Sequence, residues 1–65
     1  MKLQEARERA GMTQLELAEK AGIKIQAVQH YEQGYRDINK AAALTVFKLA
    51  KALHTDVGDL LEDVR

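Results

Sequence analysis

The polar side chains between positions 24 and 34 are the strongest candidates in this chain for binding a ligand. Glutamine recurs at positions 26, 29 and 33 with His30 beside it, and a helix would bring all four side chains onto one face. Amides and imidazoles both donate and accept hydrogen bonds, so such a face could bind a surface of paired donors and acceptors. A polar helix face is most often simply solvated, so the rest of the sequence has to show whether this one binds a ligand.

Catalytic and metal chemistry find little support in the rest of the sequence. The chain contains no Cys and no Ser, and it has no Gly-rich phosphate loop. His30 and His54 fall in different predicted helices, and no Cys or carboxylate cluster lies at ligand spacing around them. We therefore predict a protein that is not an enzyme and that uses no metal and no cofactor.

The length of 65 residues allows one domain, residues 1–65, with a small core. A chain of this size buries only ~60% of the surface that its unfolded form exposes, which makes pairing with a second copy favourable. No apolar run approaches the ~20 residues of a membrane span, and the N-terminus mixes acids with bases. Together with the lack of Cys, this predicts a soluble cytoplasmic protein that does not associate with membranes.

The charges balance in total but not along the sequence. Basic and acidic residues number three against four in residues 1–19, six against two in residues 20–51, and one against four in residues 52–65. Such asymmetry suits a protein with one face for phosphates and another for a different partner, although charges on small helical surfaces also scatter unevenly by chance.

Apolar periodicity and the glycines divide the chain into five predicted helices. Gly11, Gly22 and Gly34 follow apolar-periodic segments, where a helix C-terminus favours a residue free to adopt positive φ. Thr13 and Glu16 form a capping-box pattern. The predicted helices are about Lys2–Ala10, a second capped by Thr13 and ended by Gly22, about Lys24–Gln33, a fourth capped by Asn39 and running to about Leu53, and a short fifth capped by Asp56. The predicted fold class is all-α, a compact five-helix bundle.

The predicted core consists of the residues that repeat at helical spacing on one side of each segment. They are Leu3, Ala6 and Ala10, then Leu17, Ala18 and Ala21, then Ile23, Ala27, Val28 and Tyr31, then Ala43, Val46, Phe47, Ala50 and Leu53, and finally Val57, Leu60 and Leu61.

The stretch from Thr13 to Gly34, two short helices joined by a tight turn, resembles a helix-turn-helix unit. The whole chain resembles the phage-repressor and Cro-like, or XRE-type, helix-turn-helix domains. The matching residues are Leu3, Arg7, Gly11, Thr13, Gln14, Leu17, Ala18, Gly22, Val28, Glu32, Gly34, the run KLAKAL at 48–53, and Leu60 with Leu61. The resemblance implies a lambda-repressor-like DNA-binding domain whose second and third helices form the helix-turn-helix.

The same resemblance implies a role for particular side chains. The implied base contacts are Ile25, Gln26, Gln29 and His30, and the implied phosphate contacts are Thr13, Gln14, Lys24, Gln33, Tyr35 and Arg36. Glutamine can bond bidentately to adenine, and an Ile could meet a thymine methyl group. The resemblance also implies an ion pair between Arg7 and Glu32 that joins the first helix to the end of the third.

These residues predict a homodimeric protein that binds double-stranded DNA sequence-specifically and represses transcription at a palindromic operator. Leu44, Val57 and Leu61 are the candidate dimer contacts. Two alternatives stay open: an antitoxin that regulates its own operon together with a toxin partner, and a protein-interaction module of the same fold.

Several positions depart from the family pattern. Lys24 and Ile25 replace small polar residues at the head of the third helix, so this helix lacks an obvious side-chain cap. His54 stands where a Gly usually ends the fourth helix, and it must either accept a less favourable φ or end the helix in another way.

Overall fold

The computed structural model describes residues 2–62, which form four α-helices and two single-turn 3-10 helices. The α-helices are α1 (Lys2–Arg9), α2 (Gln14–Ala21), α3 (Ile25–Gln33) and α4 (Ala43–Leu53), and the 3-10 helices are Ile38–Lys40 and Val57–Asp59. No strand occurs in these residues, which confirms the predicted all-α class. Within the same range no helix is both long enough and apolar enough to cross a membrane.

The predicted fifth helix is wrong, because Val57–Asp59 makes only a single 3-10 turn. Gly58 and the flanking acids are poor helix formers, and so short a segment cannot offset the cost of helix nucleation. Asp56 occupies the N-cap position without a side-chain hydrogen bond, and Val57 is exposed rather than inward. Leu60 supplies the packing, since it is fully buried.

The predicted cap of α4 is also wrong, because Asn39 lies in the first 3-10 helix and α4 begins four residues later. The Asn39 amide pairs with the backbone of Glu62 in both directions: Nδ2 donates to the carbonyl oxygen at 2.8 Å, and Oδ1 accepts from the N–H at 2.8 Å. The Glu62 carboxylate in turn accepts from the backbone N–H of Lys2 at 2.7 Å. Asn39 therefore anchors the end of the described chain instead of capping a helix.

The core forms where α2 packs against α3 and α4, with α1 and the C-terminal 3-10 helix covering its ends. Its buried residues are Leu3, Ala6, Leu17, Ala18, Ala21, Val28, Tyr31, Ile38, Val46, Leu49, Ala50, Ala52, Leu53 and Leu60. Ala18 is almost fully buried in α2, and a larger side chain there would cost ~1–3 kcal/mol through overpacking.

Four residues predicted to face inward are exposed: Val57, Ala10, Ala43 and Phe47, the last with 57% of its surface accessible. The buried stripe of α4 follows Val46, Leu49, Ala50 and Leu53, at i, i+3, i+4 and i+7. Phe47 lies one position off that stripe, so its ring faces solvent.

The end of α4 shows how His54 replaces the usual Gly. His54 adopts a left-handed conformation with φ 54° and ψ 45°, and its backbone N–H bonds to the carbonyl oxygens of Ala50 and Lys51. Helix α4 therefore ends in the left-handed conformation that usually requires Gly, although the Cβ of His54 makes this conformation unfavourable.

Replacing His54 with Gly should stabilise the protein by about 0.5–1 kcal/mol, because relief of the left-handed strain outweighs the greater freedom of Gly in the unfolded chain. Urea unfolding measures the change. His54→Ala is the matched control, since it removes the imidazole but keeps the Cβ, and it should give no gain. Equal effects of both substitutions would show that the backbone conformation is not the cause.

Candidate nucleic-acid interface

The start of α2 is closed by the predicted capping box. The Thr13 hydroxyl oxygen accepts from the Glu16 N–H at 3.1 Å, and the Glu16 carboxylate accepts from the Thr13 N–H at 2.9 Å. The Thr13 backbone N–H, and after it the Thr13 side chain, lowers the pKa of Glu16. The cap is therefore present at pH values above the unfolded pKa of Glu16 and is lost as the pH falls through its lower folded pKa.

The capping box leaves the leading end of α2 open to an anion. The first N–H groups of a helix have no partner within it, and the helix dipole adds partial positive charge there. Gln14 and Leu15 carry these groups in α2.

The polar face of α3 lies outside the core, as the sequence pattern indicates. Val28 and Tyr31 point into the core, whereas Gln26 and Gln33 are exposed and Gln29 and His30 are half-buried. These last four residues, the polar face of α3, present amide and imidazole groups along one side of the helix.

The head of α3 carries no side-chain cap. Lys24 occupies the N-cap position with φ −74° and ψ 143° and makes no capping hydrogen bond, as its residue type indicates. Ile25 is half-buried and packs against the core, so only part of its side chain remains available to a ligand.

The loop after α3 turns back toward the helix. Gly34 takes φ 82°, and the N–H of Arg36 donates to the carbonyl oxygen of His30 at 3.2 Å. Tyr35 is 78% exposed, and its ring meets the His30 ring edge to face with centroids 5.9 Å apart. The loop therefore places one aromatic and one basic side chain beside the last turn of α3.

A buried ion pair holds these elements together. Arg7 Nε donates to Glu32 Oε2 at 2.7 Å and Nη2 donates to Oε1 at 3.1 Å, while Nη1 bonds the carbonyl oxygen of Met12 at 2.8 Å. Glu32 is the one charged residue that is buried within residues 2–62, with 8% exposed. The hydrogen bonds that Arg7 donates to the Glu32 carboxylate raise the pKa of Arg7.

Gln14 joins the same network, since its Nε2 donates to Glu32 Oε1 at 3.0 Å. The carboxylate of Glu32 thus receives donors from α1 and from the first residue of α2. The sequence analysis did not predict the bond from Gln14. The predicted pairing of Arg7 with Glu32 was the one sign that other donors could meet at this carboxylate. The amide of Gln14 retains its oxygen and one hydrogen for another partner.

A second surface lies away from the polar face of α3. An apolar depression of about 400 Å³ lies between the two 3-10 helices and α4. Its apolar lining consists of Ile38, Ala41, Ala43, Val46, Phe47, Val57 and Leu61. It contains two of the three predicted dimer contacts, Val57 and Leu61, whereas Leu44 does not line it and is exposed on α4.

No cluster of three His, Cys or acidic residues suited to a metal ion occurs within residues 2–62. The acidic segment at the C-terminus is described as far as Glu62, and Asp63 and Arg65 lie outside the described residues.

A family model described as helix-turn-helix matches residues 3–60, nearly the whole chain. The chain belongs to the XRE-type, Cro/C1-like helix-turn-helix family. Comparisons with curated proteins and with solved structures gave no match. Membership in this helix-turn-helix family makes the protein a DNA-binding transcription regulator in general terms, with α2 and α3 as the helix-turn-helix.

Glu32→Gln should lower the free energy of unfolding by about 3 kcal/mol, because it leaves the desolvated charge of Arg7 without its counterion. Urea unfolding measures the loss. Glu19→Gln, an exposed change of the same type on α2, should stay within about 0.5 kcal/mol of the unmodified protein.

The double variant Arg7→Met/Glu32→Leu separates pairing from packing. Two apolar residues leave no charge unpaired. The double variant should therefore lose less stability than the summed losses of the single variants Arg7→Met and Glu32→Leu. Additive losses of stability in the double variant would contradict the claim that Arg7 and Glu32 stabilise each other. A Glu32→Gln variant as stable as Glu19→Gln would contradict it as well.

Proposed function

We propose that this helix-turn-helix protein binds a specific double-stranded DNA sequence by placing α3 in the major groove, and that it represses transcription from that site. One observation carries the proposal: an amide-rich face on α3 that is accessible while the opposite face is fastened to the core. An α-helix fits the width of the major groove, where each base pair presents its own pattern of donors and acceptors.

The proposed base contacts are Ile25, Gln26, Gln29 and His30. Gln26 is the most accessible of them and suits a bidentate bond to adenine. Gln29 and His30 follow one turn later, within reach of adjoining base pairs. The partial burial of Ile25 favours a limited contact with a thymine methyl group through the exposed part of its side chain.

The proposed phosphate contacts flank that face at both ends. They are Thr13 and Gln14 at the start of α2, Lys24 at the head of α3, and Gln33, Tyr35 and Arg36 at its end. Of these six, only Lys24 and Arg36 bring full charges, and the helix dipole of α2 supplies a partial one. Contacts of this kind set register and affinity without reading sequence.

A homodimer fits this function best. Two copies on a palindromic operator would place their α3 helices in successive major grooves ~34–36 Å apart. The apolar depression lined by Phe47, Val57 and Leu61 supports this face as the dimer surface, and Leu44 is exposed on the same helix as Phe47. The four basic residues and one acid of residues 36–51 adjoin the acids of residues 52–62, so two copies related by a two-fold axis could pair opposite charges.

The double variant Gln26→Ala/Gln29→Ala should weaken binding to the duplex that the unmodified protein selects from a randomised pool. Each lost contact should cost ~1–3 kcal/mol, so the dissociation constant should rise by ~25-fold or more. Binding to scrambled duplex at the same salt concentration should change little.

Gln4→Ala is the matched control, because Gln4 is the same residue type on α1 and its amide nitrogen donates to the exposed Glu8. It should leave the dissociation constant unchanged. If the double variant bound the selected duplex as tightly as the control does, base reading by this face of α3 would be contradicted; an unmodified protein that selected no duplex at all would favour the protein-interaction module.

Phe47→Ser should shift the protein from dimer to monomer in sedimentation equilibrium, since it removes the largest apolar side chain beside the depression. The variant should also bind a full palindrome more weakly while its affinity for a half-site stays the same. Leu15→Ser, another exposed apolar residue but on α2, should leave the oligomeric state unchanged. An unmodified protein that is monomeric at all concentrations, both free and on DNA, would overturn the dimer.

A further inference from the structure

The geometry points to Tyr35 as a specificity-determining residue that acts by orienting the imidazole of His30. This inference rests on the proposed function, because it concerns how one base contact is made. It differs from the phosphate role of Tyr35, which would use the phenol hydroxyl and would affect all DNA sequences equally.

The backbone after α3 brings the two rings together. Gly34 adopts φ 82°, and the N–H of Arg36 bonds the His30 carbonyl oxygen at 3.2 Å, so the loop folds back onto the last turn of α3. The rings of His30 and Tyr35 then lie 5.9 Å apart between centroids, with an angle of 80° between their planes. This is the edge-to-face arrangement that aromatic pairs prefer.

The two side chains differ in exposure. Tyr35 is 78% exposed, so the core does not hold its ring, and the His30 ring is its described aromatic contact. His30 is half-buried on α3 beside the proposed base contacts. A tyrosine packed on one side of that imidazole removes some of the positions that the ring could otherwise take.

Ring orientation matters for histidine because its two nitrogens differ. In neutral imidazole one nitrogen donates and the other accepts, so the nitrogen that faces the groove decides which base edge is bound. An imidazole that rotates freely could satisfy either a donor or an acceptor on the DNA. A fixed imidazole discriminates between them, and Tyr35 supplies that restriction.

The test compares Tyr35→Phe with Tyr35→Ala, because the first keeps the ring and loses the hydroxyl and the second loses both. The probes are the duplex selected by the unmodified protein and the set of its single-base-pair substitutions, at one salt concentration. Tyr35→Ala should reduce discrimination by about fivefold or more at the base pair where His30→Ala also reduces it, and at no other. Tyr35→Phe should keep the discrimination of the unmodified protein.

A double-mutant cycle supplies the energetic link between the residues. Once His30 is Ala, adding Tyr35→Ala should cause no further loss of discrimination. Uniform weakening on every duplex by both Tyr35 variants, with the discrimination of Tyr35→Ala unchanged, would leave Tyr35 only its proposed phosphate contact and overturn the inference. Loss of discrimination by Tyr35→Phe equal to that of Tyr35→Ala would overturn it as well.

A measurement without DNA separates this inference from the proposed function. In the proton spectrum of the free protein, Tyr35→Ala should shift the His30 ring resonances, while Tyr35→Phe should leave them nearly in place. Unshifted resonances would show that the rings do not pair, and the inference would fail even if DNA binding held. Shifted resonances in a protein that selects no DNA sequence would instead mean that the proposed function has failed, and that the pair has no base to read.

Discussion

The buried ion pair between Arg7 and Glu32 is the interaction on which the rest of this structure depends. The carboxylate lies in the last turn of α3 and receives donors from Arg7 on α1 and from Gln14 at the start of α2. A buried charge is tolerated only when its partners are in place, so these helices cannot shift separately without leaving it unpaired. The pair thereby fixes orientation, and it holds the start of α2 beside the end of α3.

In that orientation α3 packs one side against the core and leaves its other side accessible. Val28 and Tyr31 attach α3 to the core, while the polar face of α3 stays accessible and is flanked by the open end of α2 and by the Tyr35 loop. The apolar depression beside Phe47 lies on a different part of the molecule, formed by the 3-10 helices and α4. The chain, neutral in total, therefore carries the polar face of α3 and a separate apolar surface on different parts of the molecule.

Features that depend on local chemistry could be predicted from the sequence. The capping box of Thr13 with Glu16, the left-handed Gly22 and Gly34, and the uncapped Lys24 all follow from residue type and spacing. Tertiary contacts were harder to predict. The bonds between Asn39 and Glu62 join residues 23 positions apart. Helical periodicity alone could not show that Phe47 is exposed while the neighbouring Val46 is buried. The donor that Gln14 gives to Glu32 likewise depends on how α2 and α3 cross.

Titration of the uniformly ¹⁵N-labelled protein with the duplex it selects, followed by amide chemical shifts, tests directly whether α3 and its flanks contact DNA. We predict the largest changes at residues 13–16 and 24–36, with much smaller changes in the core stripe of α4. Competition by added salt should reverse them, because phosphate contacts release counterions. Changes confined to Leu44, Phe47 and Val57, or no changes at all, would contradict the claim that α3 and its flanks form the DNA-binding surface.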